Sequence, residues 1–185
     1  MEITTMTFRD IIILVHALAA AAGLGTVLTT DYLFMKFLRD KRVSETNVRT
    51  MKHLSEVIWI ALTVLIVSGI YLAATKAGIL HSSKFLLKMV VVLTLTINGF
   101  VLNLFVTPKL SKIAFTKTGM LPDDHPDKIR KIAVFAGAIS AFSWILAFIL
   151  GKMKSIPLGV AEAIGFYLVI LIVIGVVASL TKPKA

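Results

Sequence analysis

The chain contains no cysteine. Disulfides, thiolate metal sites and cysteine nucleophiles are therefore excluded, and any metal chemistry has to rest on His, Met, Lys or carboxylate groups. Charge is also scarce: 16% of residues are charged against 57% hydrophobic, and the mean hydropathy is +0.90. Such a chain is too apolar for a water-soluble domain. The glycine and histidine patterns of soluble enzymes are missing as well. Without a P-loop, HExxH, GxSxG, CxxC or dinucleotide fingerprint, nucleotide hydrolysis, zinc proteolysis and serine hydrolysis have no support. Gly/Ser-rich linkers, low-complexity tracts and internal repeats are lacking too, so residues 1–185 read as a single domain.

What is present is five apolar runs, each long enough to cross a bilayer, which takes roughly 20 residues of helix. They extend from Phe8 to Leu38, Leu54 to Thr75, Phe85 to Val106, Ile132 to Leu150 and Leu158 to Leu180. The first is too long for a signal peptide, and Glu2 and Asp10 stand where a basic n-region would be. The fold class expected is an all-α integral membrane protein, a bundle of five transmembrane helices. Pro122, Asp123, Asp124, His125, Pro126 and Asp127 supply turn and helix-start chemistry before the fourth span.

The formal charge of +10 would point to nucleic acid in a soluble protein. Here its distribution points to the bilayer. Fourteen of the twenty basic residues fall between spans one and two (counting Lys36 at the inner end of span one), between spans three and four, or in the tail. Loops on the cytoplasmic side accumulate Lys and Arg, so the N-terminus is expected outside and the C-terminus in the cytoplasm, with no nucleic-acid partner.

Direction allows depth to be counted. His16 falls about two helical turns below the outer boundary, and Lys88 about one turn. Glu162, Ser143 with Trp144, and Ser68 with Tyr71 lie at a similar level on the remaining spans. Ionisable groups inside a span are costly and face partners or a cavity, so this layer is the candidate site. Each residue also has a structural reading. His16 and the serines, Ser140 included, can simply hydrogen-bond across helices; Lys88 can snorkel outward; Glu162 suits a helix N-terminus; Tyr71 and Trp144 suit the interface belt. Asp31, Asn98 and Asn103 form a second polar set, readable as glue between helices.

Ala19, Ala20, Gly23 and Val27 share the helical face of His16. Small residues there would leave room beside the imidazole for a haem macrocycle, or let two helices approach closely. His16 is thus a candidate metal ligand, with haem b as the cofactor. The methionines are scattered, and His53, His81 and His125 lie at membrane edges or in a loop. Copper held by His16 and a nearby Met is the alternative.

His16 with the following ALAAAAGLG, SGIYLA at 68–73, KFLLKMVVVL at 84–93 and NGFVLNLFVTPKL at 98–110 resemble the copper-resistance protein D (CopD-like) membrane domain. They are more loosely similar to the haem-containing membrane protoporphyrinogen oxidase family. The likeness covers spans one to three, a little over half the chain. It implies a bacterial or archaeal cytoplasmic (inner) membrane. The oxidase family implies haem b on His16 with Lys88 important to the site, and hence a haem-dependent membrane oxidoreductase. The copper-resistance family implies copper uptake. Thr29, Thr30 and Asp31 stand where the oxidase family has Leu-Pro-Arg, and its late Asn-Glu-x-Pro pattern is absent, which counts against porphyrinogen oxidation. The expectation is a haem-binding electron-transfer protein with His16, Lys88, Glu162, Tyr71, Trp144 and Ser143 around the cofactor. Its partners would be the lipid bilayer and a quinone or periplasmic electron carrier. The alternatives are a copper transporter and a cofactor-free structural membrane protein, and an oligomer is compatible with each.

The charge asymmetry makes a direct prediction. Reporter fusions within 40–50, within 117–128 and at the C-terminus should be active only as cytoplasmic reporters, and those within 76–82 and 152–156 only as external ones. A C-terminal tag accessible from outside intact cells would reverse the orientation.

Overall fold

A computed structural model describes residues 6–40, 44–76, 78–108 and 126–180. The described residues are helical, with no strand among them. Helices α1 (Phe8–Asp40), α2 (Glu45–Ala74), α3 (Ser83–Val101), α4 (Pro126–Lys152) and α5 (Val160–Leu180) follow in order. A π-helical turn, Leu102–Val106, continues α3, and a short 3-10 turn, Ile79–His81, precedes it. Five helices are long and apolar enough to cross a membrane. The tail lysines Lys182 and Lys184, the Pro122–His125 turn, and Glu2, Lys41 and Arg42 lie outside the described residues.

The helix ends are set by capping chemistry rather than by the apolar runs. At the start of α1, the Thr7 N–H donates to Asp10 Oδ2 at 3.0 Å, and the Asp10 N–H donates back to Thr7 Oγ1 at 3.3 Å. This reciprocal box satisfies donors that a helix N-terminus leaves open, and so accounts for an acidic residue at the edge of an apolar span. Helix α2 starts at Glu45, well upstream of the expected Leu54, because Ser44 Oγ accepts from the Asn47 N–H at 3.2 Å. Its added turns carry the exposed pair Arg49–Glu45, and the pair His53–Glu56 joins them to the expected span. Helix α4 starts at Pro126 instead of Ile132, since proline fits the first helical turn, where its missing N–H costs nothing. Gly78, at φ 71°, takes the left-handed conformation that turns the chain from α2 into the 3-10 turn, a conformation that a side chain would strain.

Helix α1 packs along α2 and against α4, while α4 also packs on α3 and α5. The main core joins Val27 of α1, Leu62 and Leu65 of α2, Leu87, Val91 and Leu95 of α3, Trp144 and Leu150 of α4, and Tyr167 of α5. A smaller cluster of Phe34, Val106 and Ala133 closes the end where α1 terminates. Large apolar side chains such as Ile60, Ile70, Leu93 and Ile172 point outward, each more than 59% exposed. Apolar cover of this extent fits lipid as the solvent, with backbone polar groups satisfied inside the helices.

One contact sets the spacing of α1 and α4. The indole of Trp144, 2% exposed, lies directly over Gly23, where a Cβ would fall inside the ring's van der Waals envelope. The small-residue face of α1 is therefore filled at this level by Trp144, the close-approach use of such a stripe. Gly23→Val should cost about 1–3 kcal/mol through overpacking, read as a lowered unfolding midpoint in detergent. Gly25→Ala, where a Cβ meets nothing within 4 Å, should leave the midpoint unchanged or raise it.

Candidate functional site

His16 is half-buried between α1 and α2, and its Nδ1 lies 2.7 Å from Ser68 Oγ. The direction of this bond follows from counting protons. The single hydroxyl proton of Ser68 is donated to the Val64 carbonyl one turn back in α2, so Ser68 Oγ accepts from the His16 Nδ1–H. The imidazole is thereby held with Nε2 as its unprotonated nitrogen. Beside the ring, Gly69 presents bare backbone: a Cβ there would lie 3.6 Å from His16 Cε1, the carbon between the two nitrogens. No side chain from this position covers the Nε2 edge.

Lys88, also half-buried, lies within electrostatic reach of His16 and of Lys84. Its ammonium is beside Gly151, 4.0 Å from where a Cβ would stand. Lys84 donates to the Met153 carbonyl just past the end of α4. Both lysines thus gather at the C-terminal, negative end of the α4 dipole. Lys88 belongs to neither of the ion pairs seen among the described residues.

The other candidates separate into two levels. Glu162 is exposed, and its Oε2 accepts from the Gly159 N–H at 3.0 Å, closing the first turn of α5. Tyr71 packs edge-on against Phe8 with ring centroids 5.6 Å apart. Both sit at the rim. Ser143 and Trp144 lie deeper, Trp144 over Gly23, about two turns along α1 from His16. Ser143 is fully buried and its Oγ shares a 2.9 Å hydrogen bond with Tyr167 Oη. Tyr167, 2% exposed and stacked on Phe142, belongs to the polar layer although sequence reasoning passed over it. A tyrosine in an otherwise apolar span needs a partner for its hydroxyl, which is the signal that could have found it.

A second polar layer lies toward the far end of α1. The Asn98 Nδ2–H donates to the Ala136 carbonyl at 2.8 Å, tying α3 to α4. Asp31 Oδ1 rests against Gly137, 2.9 Å from where a Cβ would stand. Asn103, exposed, lies in the π-helical turn. The structure thus brings His16, Ser68 and Lys88 together at one end, Ser143, Trp144 and Tyr167 in the middle, and Asp31 and Asn98 toward the other end.

No protein-family model, curated protein or solved structure matches the chain.

The Ser143–Tyr167 bond predicts measurable coupling. In a double-mutant cycle of Ser143→Ala and Tyr167→Phe, unfolding free energies in detergent should give an interaction of about 0.6 kcal/mol, the average for interhelical hydrogen bonds in membranes. Additive effects would show that the two hydroxyls stabilise the bundle independently.

Proposed function

We propose that this is a cytoplasmic-membrane protein that binds one b-type haem through His16 and passes electrons, with the N-terminus outside and the C-terminus in the cytoplasm. The observation that carries the reading is the His16–Ser68 hydrogen bond. An imidazole whose Nδ1–H is anchored offers Nε2 to a metal in a fixed orientation, and such an outer hydrogen bond also raises its basicity as a ligand. The position on α2 beside the ring is a glycine, which adds no side chain there.

The donor set fits haem iron. His16 supplies a neutral nitrogen, Ser68 orients it, and the Lys88 ammonium offers a charge partner for a propionate. The Gly23 face that the sequence suggested as room for the macrocycle belongs instead to Trp144, so any room is on the Gly69 side of the ring. Bound haem supplies a one-electron couple; the chain contributes the ligand, its orientation and the compensating charge. Lys88 acts as that charge rather than as a second ligand, because its ammonium gathers with Lys84 at the end of α4. Tyr71 and Glu162 lie near the ends of their helices, and Ser143 with Trp144 about two turns deeper than His16.

Absorption spectra of the protein expressed with ample haem test the reading. The wild type should show a Soret band, which His16→Ala should abolish without unfolding the bundle. Ser68→Ala should retain haem with affinity lowered about 10–100-fold. Lys88→Arg should preserve the spin state and Lys88→Met should weaken retention. A wild type that shows no Soret band and binds copper stoichiometrically would replace haem by the copper reading.

A further inference from the structure

Helices α3 and α4 leave a groove between them, toward the Asp31 end, of about 240 Å³. Thr94, Ile97 and Asn98 line it from α3, and Phe135, Ala136 and Ile139 from α4. Ile97 and Phe135 are exposed on its lips, so the groove opens toward lipid. Its depth excludes a headgroup. Asn98 lies about 22 Å along α3 from Ser83 and about 12 Å from Val106, within a hydrocarbon layer about 30 Å thick. Its size excludes a macrocycle, being below the roughly 300–1,000 Å³ of drug-sized pockets.

The groove is not uniformly apolar. Asn98 is 8% exposed, and one amide N–H is committed to the Ala136 carbonyl. Its Oδ1 has no partner among the described residues. Every fully enclosed side-chain polar atom among those residues does have a partner. The Asn98 oxygen is therefore at the groove wall, open to an occupant. The Thr94 hydroxyl proton is donated to Val90 O at 2.9 Å, so its oxygen likewise offers only lone pairs. A carboxamide acceptor facing hydrocarbon without a donor carries a desolvation cost that an acyl chain cannot relieve. The occupant that suits the site is a single ring, soluble in lipid, that brings hydroxyl donors to these two acceptors.

We infer that the α3–α4 groove binds the hydroxylated head ring of a membrane quinol, with Asn98 Oδ1 as the principal hydrogen-bond acceptor. The choice of a quinol among hydroxylated rings rests on the redox function proposed above, since a quinol is the lipid-soluble electron donor available to such a protein. Binding itself requires neither haem nor His16.

The test is calorimetric titration of the full chain, in nanodiscs of quinone-free phosphatidylcholine under anaerobic reducing conditions. The probes are decyl-ubiquinol and its dimethyl ether, which keeps the ring and tail but has no donor. The quinol should bind one per chain and about fivefold more tightly than the ether, the worth of about one hydrogen bond. Asn98→Leu should remove that difference. Ile139→Trp, which fills the groove without touching a polar group, should abolish saturable binding of both. The same results should hold in His16→Ala, which separates this inference from the fate of the haem. Equal affinity for quinol and ether in the wild type would overturn the inference, leaving the groove to lipid chains; so would binding that survives Ile139→Trp.

Discussion

The bundle depends on the close approach of α1 to α4, made where Trp144 lies over Gly23. In lipid, helices gain little from hiding apolar surface from one another, so association rests on packing and on interhelical hydrogen bonds. A glycine on one helix and the largest side chain on the other give that packing a unique register. Asp31 against Gly137 repeats the arrangement between the same helices, with a carboxylate in place of the indole. The face of α1 next to these contacts is then committed to α2, and there His16 meets Ser68.

Polar groups in such a setting are constrained by their partners. Ser68 can give its proton only once; that proton goes to its own helix, and the imidazole must donate in turn. Buried side-chain polar atoms among the described residues are partnered throughout, so the exceptions at cavity walls and site edges carry the functional argument. The Oδ1 of Asn98 in the α3–α4 groove is one such place, and the half-buried His16 beside Gly69 is the polar group at the other site edge. They lie toward opposite ends of the bundle.

The helices themselves were legible because a lipid-crossing segment must be long and apolar, and the five runs could hardly be anything else. Their ends were less so: Ser44 and Pro126 initiate helices in polar sequence that hydropathy does not register. Counting depth along alternating spans placed His16, Ser68 and Lys88 at one level, and the structure brings them together. The same count put Trp144 at that level, whereas it lies about two turns deeper along α1, over Gly23, and fills the small-residue face there. Glu162 stood where a helix dipole favours a carboxylate, and its bond to the Gly159 N–H is that local role. The π-helical turn at Leu102–Val106 was not read from the pattern, although Pro108, which has no N–H to donate back into the helix, follows it closely.

The central claim is that Ser68 holds His16 as the Nδ1-protonated tautomer, so that Nε2 is the nitrogen offered to iron. Nitrogen-15 NMR of histidine-labelled protein without haem, with the His16 signals assigned by their loss in His16→Ala, reads both nitrogens directly. The account predicts a protonated Nδ1 and an unprotonated Nε2 whose signal is lost or displaced when ferric haem is added. A protonated Nε2, or an Nε2 signal that haem leaves in place, would contradict it.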